Sequence, residues 1–252
     1  MNLIDSHCHL YSVSNVKDAI IQARDAGITQ AIVVSENLRT MEQTLKLRDS
    51  FPEFVLPGLG VHPVDILSMS HNEWEKSFSF LKLHAHEASC IGEIGLDYKY
   101  ATTKKEKERQ LKALHVQMEV AAEHHLPINL HSRRALRQTM EEAIFFHKTT
   151  GLSTLLHWFA HSPKLLKRTN EEKIFVSVGP SILFSKEALN CAFAIDPDRI
   201  LVETDTPVPF NGRPSKPACV AKVADALIRN HPEKQLTKEK LFDNTRRYLN
   251  KP

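Results

Sequence analysis

The sequence predicts an α/β chain, a TIM-type (β/α)8 barrel with an additional C-terminal helix. Three observations carry that expectation. Short, almost continuously apolar runs alternate with amphipathic stretches eight times, the order of strands and helices such a barrel requires. The 252 residues match the size of one barrel of this kind. Five of the apolar runs also finish on His, Glu or Asp, and the C-terminal strand ends are where such barrels carry their chemistry.

The candidate strands fall at residues 3–6, 31–34, 54–60, 90–94, 127–131, 153–157, 174–178 and 199–203. Each is short and rich in Ile, Val or Leu, as strands covered on both faces should be. The amphipathic stretches between and after them are 15–26, 38–50, 72–86, 104–125, 133–148, 163–170, 185–194 and 216–230. A ninth, 237–249, falls outside the repeat and supplies the extra helix. A doubly wound open sheet is the rival architecture, but no Gly-x-Gly-x-x-Gly follows the first strand. No Ser/Gly-rich linker or low-complexity run divides the chain, so one domain over residues 1–252 is expected.

Composition narrows the function classes. Apolar residues make up 42%, enough for a large core without disulfides. The net charge of +3 and pI near 8.6 tolerate a nucleic-acid substrate but do not describe a duplex-coating protein. Cys8, Cys90, Cys191 and Cys219 are scattered with no Cys-x-x-Cys pair, which predicts reduced thiols. The N-terminus lacks a basic region and an apolar h-region, and no later segment approaches a membrane span. A cytoplasmic monomer with no membrane partner is expected. The run Lys104-Lys105-Glu106-Lys107-Glu108-Arg109 alternates in sign and reads as a solvated helix face.

The runs ending in polar residues are Ile4-Asp5-Ser6-His7-Cys8-His9, Ile91-Gly92-Glu93-Ile94-Gly95-Leu96-Asp97, Ile128-Asn129-Leu130-His131-Ser132-Arg133, Leu155-Leu156-His157 and Leu201-Val202-Glu203-Thr204-Asp205. His7 and His9 stand two apart, so an extended backbone points both to one side and Cys8 away. A lone His at a strand end is usually a hydrogen-bonded core residue. Four imidazoles and two carboxylates meeting in an apolar barrel would instead be severely desolvated unless cations neutralised them. Six ligands exceed one catalytic zinc, which takes three plus water. Two ions sharing a carboxylate fit better; such pairs lie about 3.5–4 Å apart and hold a bridging water or hydroxide. The mixed N and O donors leave Zn, Mg and Mn open.

These blocks resemble the TatD family of metal-dependent hydrolases, within the amidohydrolase-type barrels. The resemblance includes Gly58-Leu59-Gly60-Val61-His62-Pro63, Glu203-Thr204-Asp205-Thr206-Pro207 and the spacing of Gln110 and Gln117. It implies that His7, His9 and Asp205 hold one metal ion, that His131 and His157 complete a second, and that Glu93 bridges them. Asp205 would take a proton from the attacking water, with Glu203 in support or simply a core carboxylate. His62, Arg133 and Tyr98 would face the substrate. The implied activity is that of a deoxyribonuclease, working from the 3′ end of single-stranded DNA with a hydroxide held by the two metals.

Two blocks depart from the family pattern and both touch the pocket rim. His157-Trp158-Phe159-Ala160-His161 lacks the Gly that usually ends this turn. Arg213-Pro214-Ser215-Lys216-Pro217 replaces an Arg-Asn-acidic-Pro block, which predicts a more positive edge. The alternative function is hydrolysis of a small-molecule ester, amide or lactone on the same barrel. A scaffold that has lost turnover would be expected to show a broken ligand set, and here every ligand is present.

Overall fold

Side chains alternate across a strand, so a strand apolar at every position needs cover on both faces. The computed structural model, which describes residues 2–158, 163–210, 212–230 and 236–250, provides it. Eight parallel strands pair in chain order: β1 (Leu3–Cys8), β2 (Ile28–Val34), β3 (Val55–Leu59), β4 (Cys90–Asp97), β5 (Ile128–Arg133), β6 (Thr154–Leu156), β7 (Phe175–Val178) and β8 (Ile200–Val202). The connections carry α1 (Val16–Asp25), α2 (Leu38–Ser50), α3 (Pro63–Ser68), α4 (His71–His84), α5 (Lys104–Glu123), α6 (Leu136–Thr150), α7 (Pro163–Glu171) and α8 (Lys186–Ala192). A short antiparallel pair, β9 (Pro209–Phe210) and β10 (Arg213–Pro214), then α9 (Cys219–Asn230) and α10 (Lys238–Tyr248), follow β8. This is a TIM-type (β/α)8 barrel with an extra C-terminal helix.

The two strand faces bury different partners. Ala31, Val33, Val55, Leu59, Ile128 and Leu130 pack outward in one large core that includes the helices. Ile4, Ile32, Val34, Leu56, Leu155, Phe175 and Leu201 form a second cluster, and Tyr248 and Leu249 at the end of α10 complete it. The additional helix therefore plugs the barrel interior with a wholly buried aromatic ring.

The barrel closes between β1 and β8 through a seam of individual bonds. Asp205 N donates to His7 O at 2.9 Å and His9 N to Thr206 O at 2.7 Å. The buried Asp5 carboxylate accepts from Thr204 N at 3.0 Å and from the Thr204 hydroxyl. That stitching brings Asp205 beside His7 and His9.

Some boundaries differ from the sequence expectation. β2 begins three residues earlier than 31, and β4 runs on to Asp97 because it keeps pairing with β5 through Asp97↔Arg133. α3 is unforeseen. It is only six residues long and starts at Pro63, where a fixed φ suits a first helical position, with the His62 side chain accepting from Val64 N. β9 and β10 are too short to show in a hydropathy pattern. Phe159, Ala160 and His161 lie outside the described residues. Lys216 does not reach the barrel mouth; its Nζ bonds Gln22 Oε1 at 3.1 Å. Among the described residues no helix is long and apolar enough to cross a membrane.

Replacing Tyr248 with Ala should cost about 3–5 kcal/mol of stability, the range for emptying a large buried aromatic site. Urea denaturation measures it, and a loss below about 1 kcal/mol would mean that α10 is only peripheral.

Candidate metal centre

Local backbone features, rather than strand ends alone, aim the candidate ligands. β4 carries an irregularity between Ile91 and Ile94, where three residues of β4 span two of β5. Such a bulge re-aims the side chain it contains, here Glu93. Its flanking glycines are required by close approach. A Cβ at Gly92 would lie 2.6 Å from Asn129 Cβ, and one at Gly95 (φ +144) would lie 2.1 Å from His131 O. β1 has a similar irregularity between Asp5 and Cys8, at His7. Asp205 follows β8 with φ 50, a left-handed conformation that Asp tolerates better than most residues.

All six expected ligands meet around one carboxylate. Glu93 Oε2 faces His9 Nε2 at 3.3 Å and His7 Nε2 at 3.6 Å. Glu93 Oε1 lies 2.8 Å from His131 Nδ1 and 2.9 Å from His157 Nε2. Asp205 Oδ1 joins the first pair, 3.3 Å from His9 and 3.6 Å from His7. The rings of His7 and His157 stack at 3.8 Å between centroids. One carboxylate thus separates two groups of imidazoles, one group on each oxygen.

The outer nitrogen of each ring fixes what the inner one can do. Asn129 Nδ2 must donate to Ser6 O (3.2 Å), so its Oδ1 accepts from His7 Nδ1 at 3.0 Å. Tyr11 donates to Glu36 Oε2 at 2.9 Å, so its oxygen accepts from His9 Nδ1 at 2.8 Å. Asp97, whose Oδ1 accepts from Lys99 N, offers Oδ2 to His131 Nε2 at 3.1 Å. His157 Nδ1 faces Glu203 Oε1 at 3.7 Å, while the other Glu203 oxygen accepts from the Ser177 hydroxyl. His7 and His9 are therefore left with inner lone pairs directed at carboxylate oxygens, whereas His131 lies between two carboxylates and His157 Nδ1 makes no hydrogen bond among the described residues. His7 Nε2 is buried without any hydrogen-bond partner among the described residues.

Lone pairs facing carboxylates repel unless positive charge intervenes, and protons or metal ions must supply it. Burial alone would lower His9, but Asp205 and Glu93 overrule it and push that imidazole up to about 10. His157 is likewise raised against burial by Glu93 and Glu203. Glu93 is held well below the usual carboxylate range despite its burial, by the positive charge that the surrounding imidazoles can carry. An N-rich, carboxylate-containing donor set with oriented outer nitrogens fits divalent metal ions.

His62 behaves differently. Its Nε2 lies 3.6 Å from Glu93 Oε1, so distance alone would allow a ligand group of His62, Glu93 and His131. Its Nδ1, however, accepts from Val64 N at 3.2 Å, which places the proton on Nε2. Burial also drives this imidazole down to about 3, so it is neutral. His62 is a proton-bearing donor toward the cavity, the reverse of His7 and His9.

The centre opens into a cavity of about 720 Å³ whose wall includes Glu36, His62, Arg133, Arg134 and Trp158. Of the residues expected to face substrate, His62 and Arg133 line this cavity. Tyr98 lies outside the wall, its hydroxyl donating to Gln138 Oε1 at 2.6 Å, and Tyr100 lines the cavity. The expected helix glutamines support the mouth from behind. Gln117 bonds Val61 N and O, and Gln110 bridges Asp97 N and Pro63 O. Sequence reading missed Asn129, Tyr11, Glu36 and Asp97 as orienting groups. A polar Asn129 inside the apolar Ile128–Leu130 run was a usable signal, whereas Tyr11 and Glu36 sit in separate loops with no shared pattern.

Fold and site together describe a (β/α)8 barrel with a cluster at its C-terminal mouth that could hold divalent metal ions. The family profile described as TatD related DNase matches residues 4–250, and the chain belongs to the TatD family of metal-dependent hydrolases. Human "Deoxyribonuclease TATDN3" is 29% identical over 82% of this chain and 78% of its own. The "Uncharacterized metal-dependent hydrolase YabD" of Bacillus subtilis is 28% identical over 89% of each. The crystal structure of YjjV, a TatD homolog from Escherichia coli K12, superposes with a TM-score of 0.85, covering 99% of this chain and 98% of that one at 24% identity.

Tyr11→Phe removes the oxygen that orients His9. Its affinity for Mn²⁺ or Zn²⁺, measured by competition with a chelating dye, should fall about 10- to 100-fold, the usual cost of losing such an outer contact. Wild-type affinity would show that His9 needs no such support.

Proposed function

We propose that the chain is a two-metal phosphodiesterase acting on DNA, one catalytic unit spanning the whole barrel. The observation that carries this reading is the division of Glu93, with His7 and His9 on one oxygen and His131 and His157 on the other. In this reading His7, His9 and Asp205 hold one ion, His131 and His157 hold the second, and Glu93 is common to both. Four imidazoles among six ligands favour Zn²⁺ or Mn²⁺ over Mg²⁺. Bound ions of this kind polarise phosphoryl oxygens and offset the charge that builds during displacement at phosphorus.

The chain's own groups supply the rest. Against the raising effect of burial, His9 and His7 hold the Asp205 carboxyl below its ordinary range, so it is ionised and able to take the proton of an attacking water. His62 presents Nε2–H to a phosphate oxygen, a donor that its capping bond keeps in one tautomer. Arg133, exposed at the end of β5, offers the planar fork that suits a phosphate. A cavity of about 720 Å³ falls within the range of small-ligand sites and suits one terminal nucleotide better than duplex interior. The deoxyribonuclease name of the human relative supports DNA as the polymer.

The test is cleavage of 3′-labelled and 5′-labelled single-stranded DNA by metal-stripped protein, with Zn²⁺, Mn²⁺ or Mg²⁺ restored singly. Metal-dependent shortening from the 3′ end is expected, and Asp205→Ala should lose about 10²- to 10⁴-fold in rate, the contribution of a positioned base. No cleavage with any ion, alongside turnover of small esters or lactones, would transfer the centre to small-molecule chemistry.

A further inference from the structure

The metal cavity does not end at its own wall. Arg134 and Leu136 line both it and a second hollow of about 460 Å³, whose other walls include Tyr98, Arg137 and Gln138. Tyr98 and Gln138 in turn line a third hollow of about 340 Å³ with Lys104, Lys107 and Leu111. The three hollows therefore adjoin one another in sequence, from the barrel mouth past the start of α6 to the start of α5. The Tyr98–Gln138 hydrogen bond is the saddle between the second and the third.

The path is cationic. Arg133, Arg134 and Arg137 flank its beginning, and Lys104 and Lys107 its end. Two acids lie along it. Glu141 is engaged by Arg168 of α7 at 2.8 and 3.2 Å and lies 3.9 Å from Arg137, and Glu108 lies 3.7 Å from Lys104. Arg133, Arg134 and Lys107 have no acidic partner within 4 Å among the described residues. Cations also alternate with aromatic rings. Lys107 Nζ lies 4.8 Å from the Tyr98 ring centre, and Lys99 Nζ lies 5.2 Å from that of the half-exposed Tyr100.

Arg134 adds an independent observation. It holds φ 56, a left-handed conformation unusual for a long side chain, at the junction of the first two hollows. A continued extended backbone would place its side chain elsewhere. A small-molecule hydrolase has no use for a second and third hollow lined with cations. A polyanion with flat bases has a use for both the charge and the rings.

We propose that this path is the track for a single strand of nucleic acid leaving the metal cavity, with Arg134 at the exit and Tyr98, Arg137 and Lys107 along the way. The proposal rests on the nuclease reading and extends it to nucleotides upstream of the one being cleaved. It also returns Tyr98 to substrate binding, at a distance from the metal centre.

The test compares fluorescein-labelled dT2 and dT12 on wild type, Tyr98→Leu and the Arg137→Ala/Lys107→Ala double variant. Arg137 is strongly exposed, so its replacement leaves the core untouched. The track predicts that dT12 binds wild type at least about tenfold more tightly than dT2. It also predicts that both variants lose most of that advantage while dT2 affinity changes less than about twofold. The salt slope of dT12 binding should fall by about 1.4 in the double variant, about 0.7 for each lost phosphate contact. Equal affinity for both lengths, or an unchanged dT12 affinity in both variants, would overturn the track even if wild type cleaves DNA. Variant-sensitive dT12 binding without cleavage under any metal would sustain the track and remove the nuclease reading. Neither binding nor cleavage would remove both.

Discussion

A single carboxylate organises the barrel mouth. Glu93 touches imidazoles from β1, β5 and β6, and the end of β8 reaches the same histidines through Asp205. Buried this deeply, a carboxylate costs several kcal/mol unless positive charge surrounds it. The cost is met by strand ends that are otherwise unconnected in sequence. That dependence runs both ways. Asn129 and Tyr11 hold His7 and His9 with lone pairs inward, an arrangement that protons or cations in the middle would offset.

Much of the surrounding backbone exists to permit that meeting. Gly92 and Gly95 let β4 lie so close to β5 that a methyl group at either would collide with Asn129 or His131. The bulge between Ile91 and Ile94 turns Glu93 into the mouth, at the expense of regular pairing. The seam between β1 and β8 relies on Asp5 and Thr204 where a full ladder would be expected, and the same seam sets Asp205 against His7 and His9. Stability and site geometry share these bonds, so changes here should disturb both.

The strands were legible because continuous apolar runs need two covered faces, and the six clustered candidate ligands were legible because each ends such a run. His-x-His was a sound clue, although His9 lies just past β1 and β1 bulges at His7, so simple alternation is only part of its geometry. What escaped was tertiary. The tautomers of His7 and His9 depend on residues from other elements, and nothing local links Tyr11 to Glu36 or His131 to Asp97. Proximity to the Glu93 block did not reveal that the Tyr98 hydroxyl bonds Gln138 outside the metal cavity while Tyr100 lines it. The contrast between His62 and the other histidines was also invisible, because it rests on one backbone N–H at the start of α3.

Two ions sharing Glu93 would sit close enough to couple magnetically. Electron paramagnetic resonance of protein loaded with two equivalents of Mn²⁺ tests that sharing directly. A shared carboxylate predicts an exchange-coupled manganese pair whose signature disappears in Glu93→Gln. Two uncoupled mononuclear signals, or saturation at one ion with Glu93 intact, would contradict it.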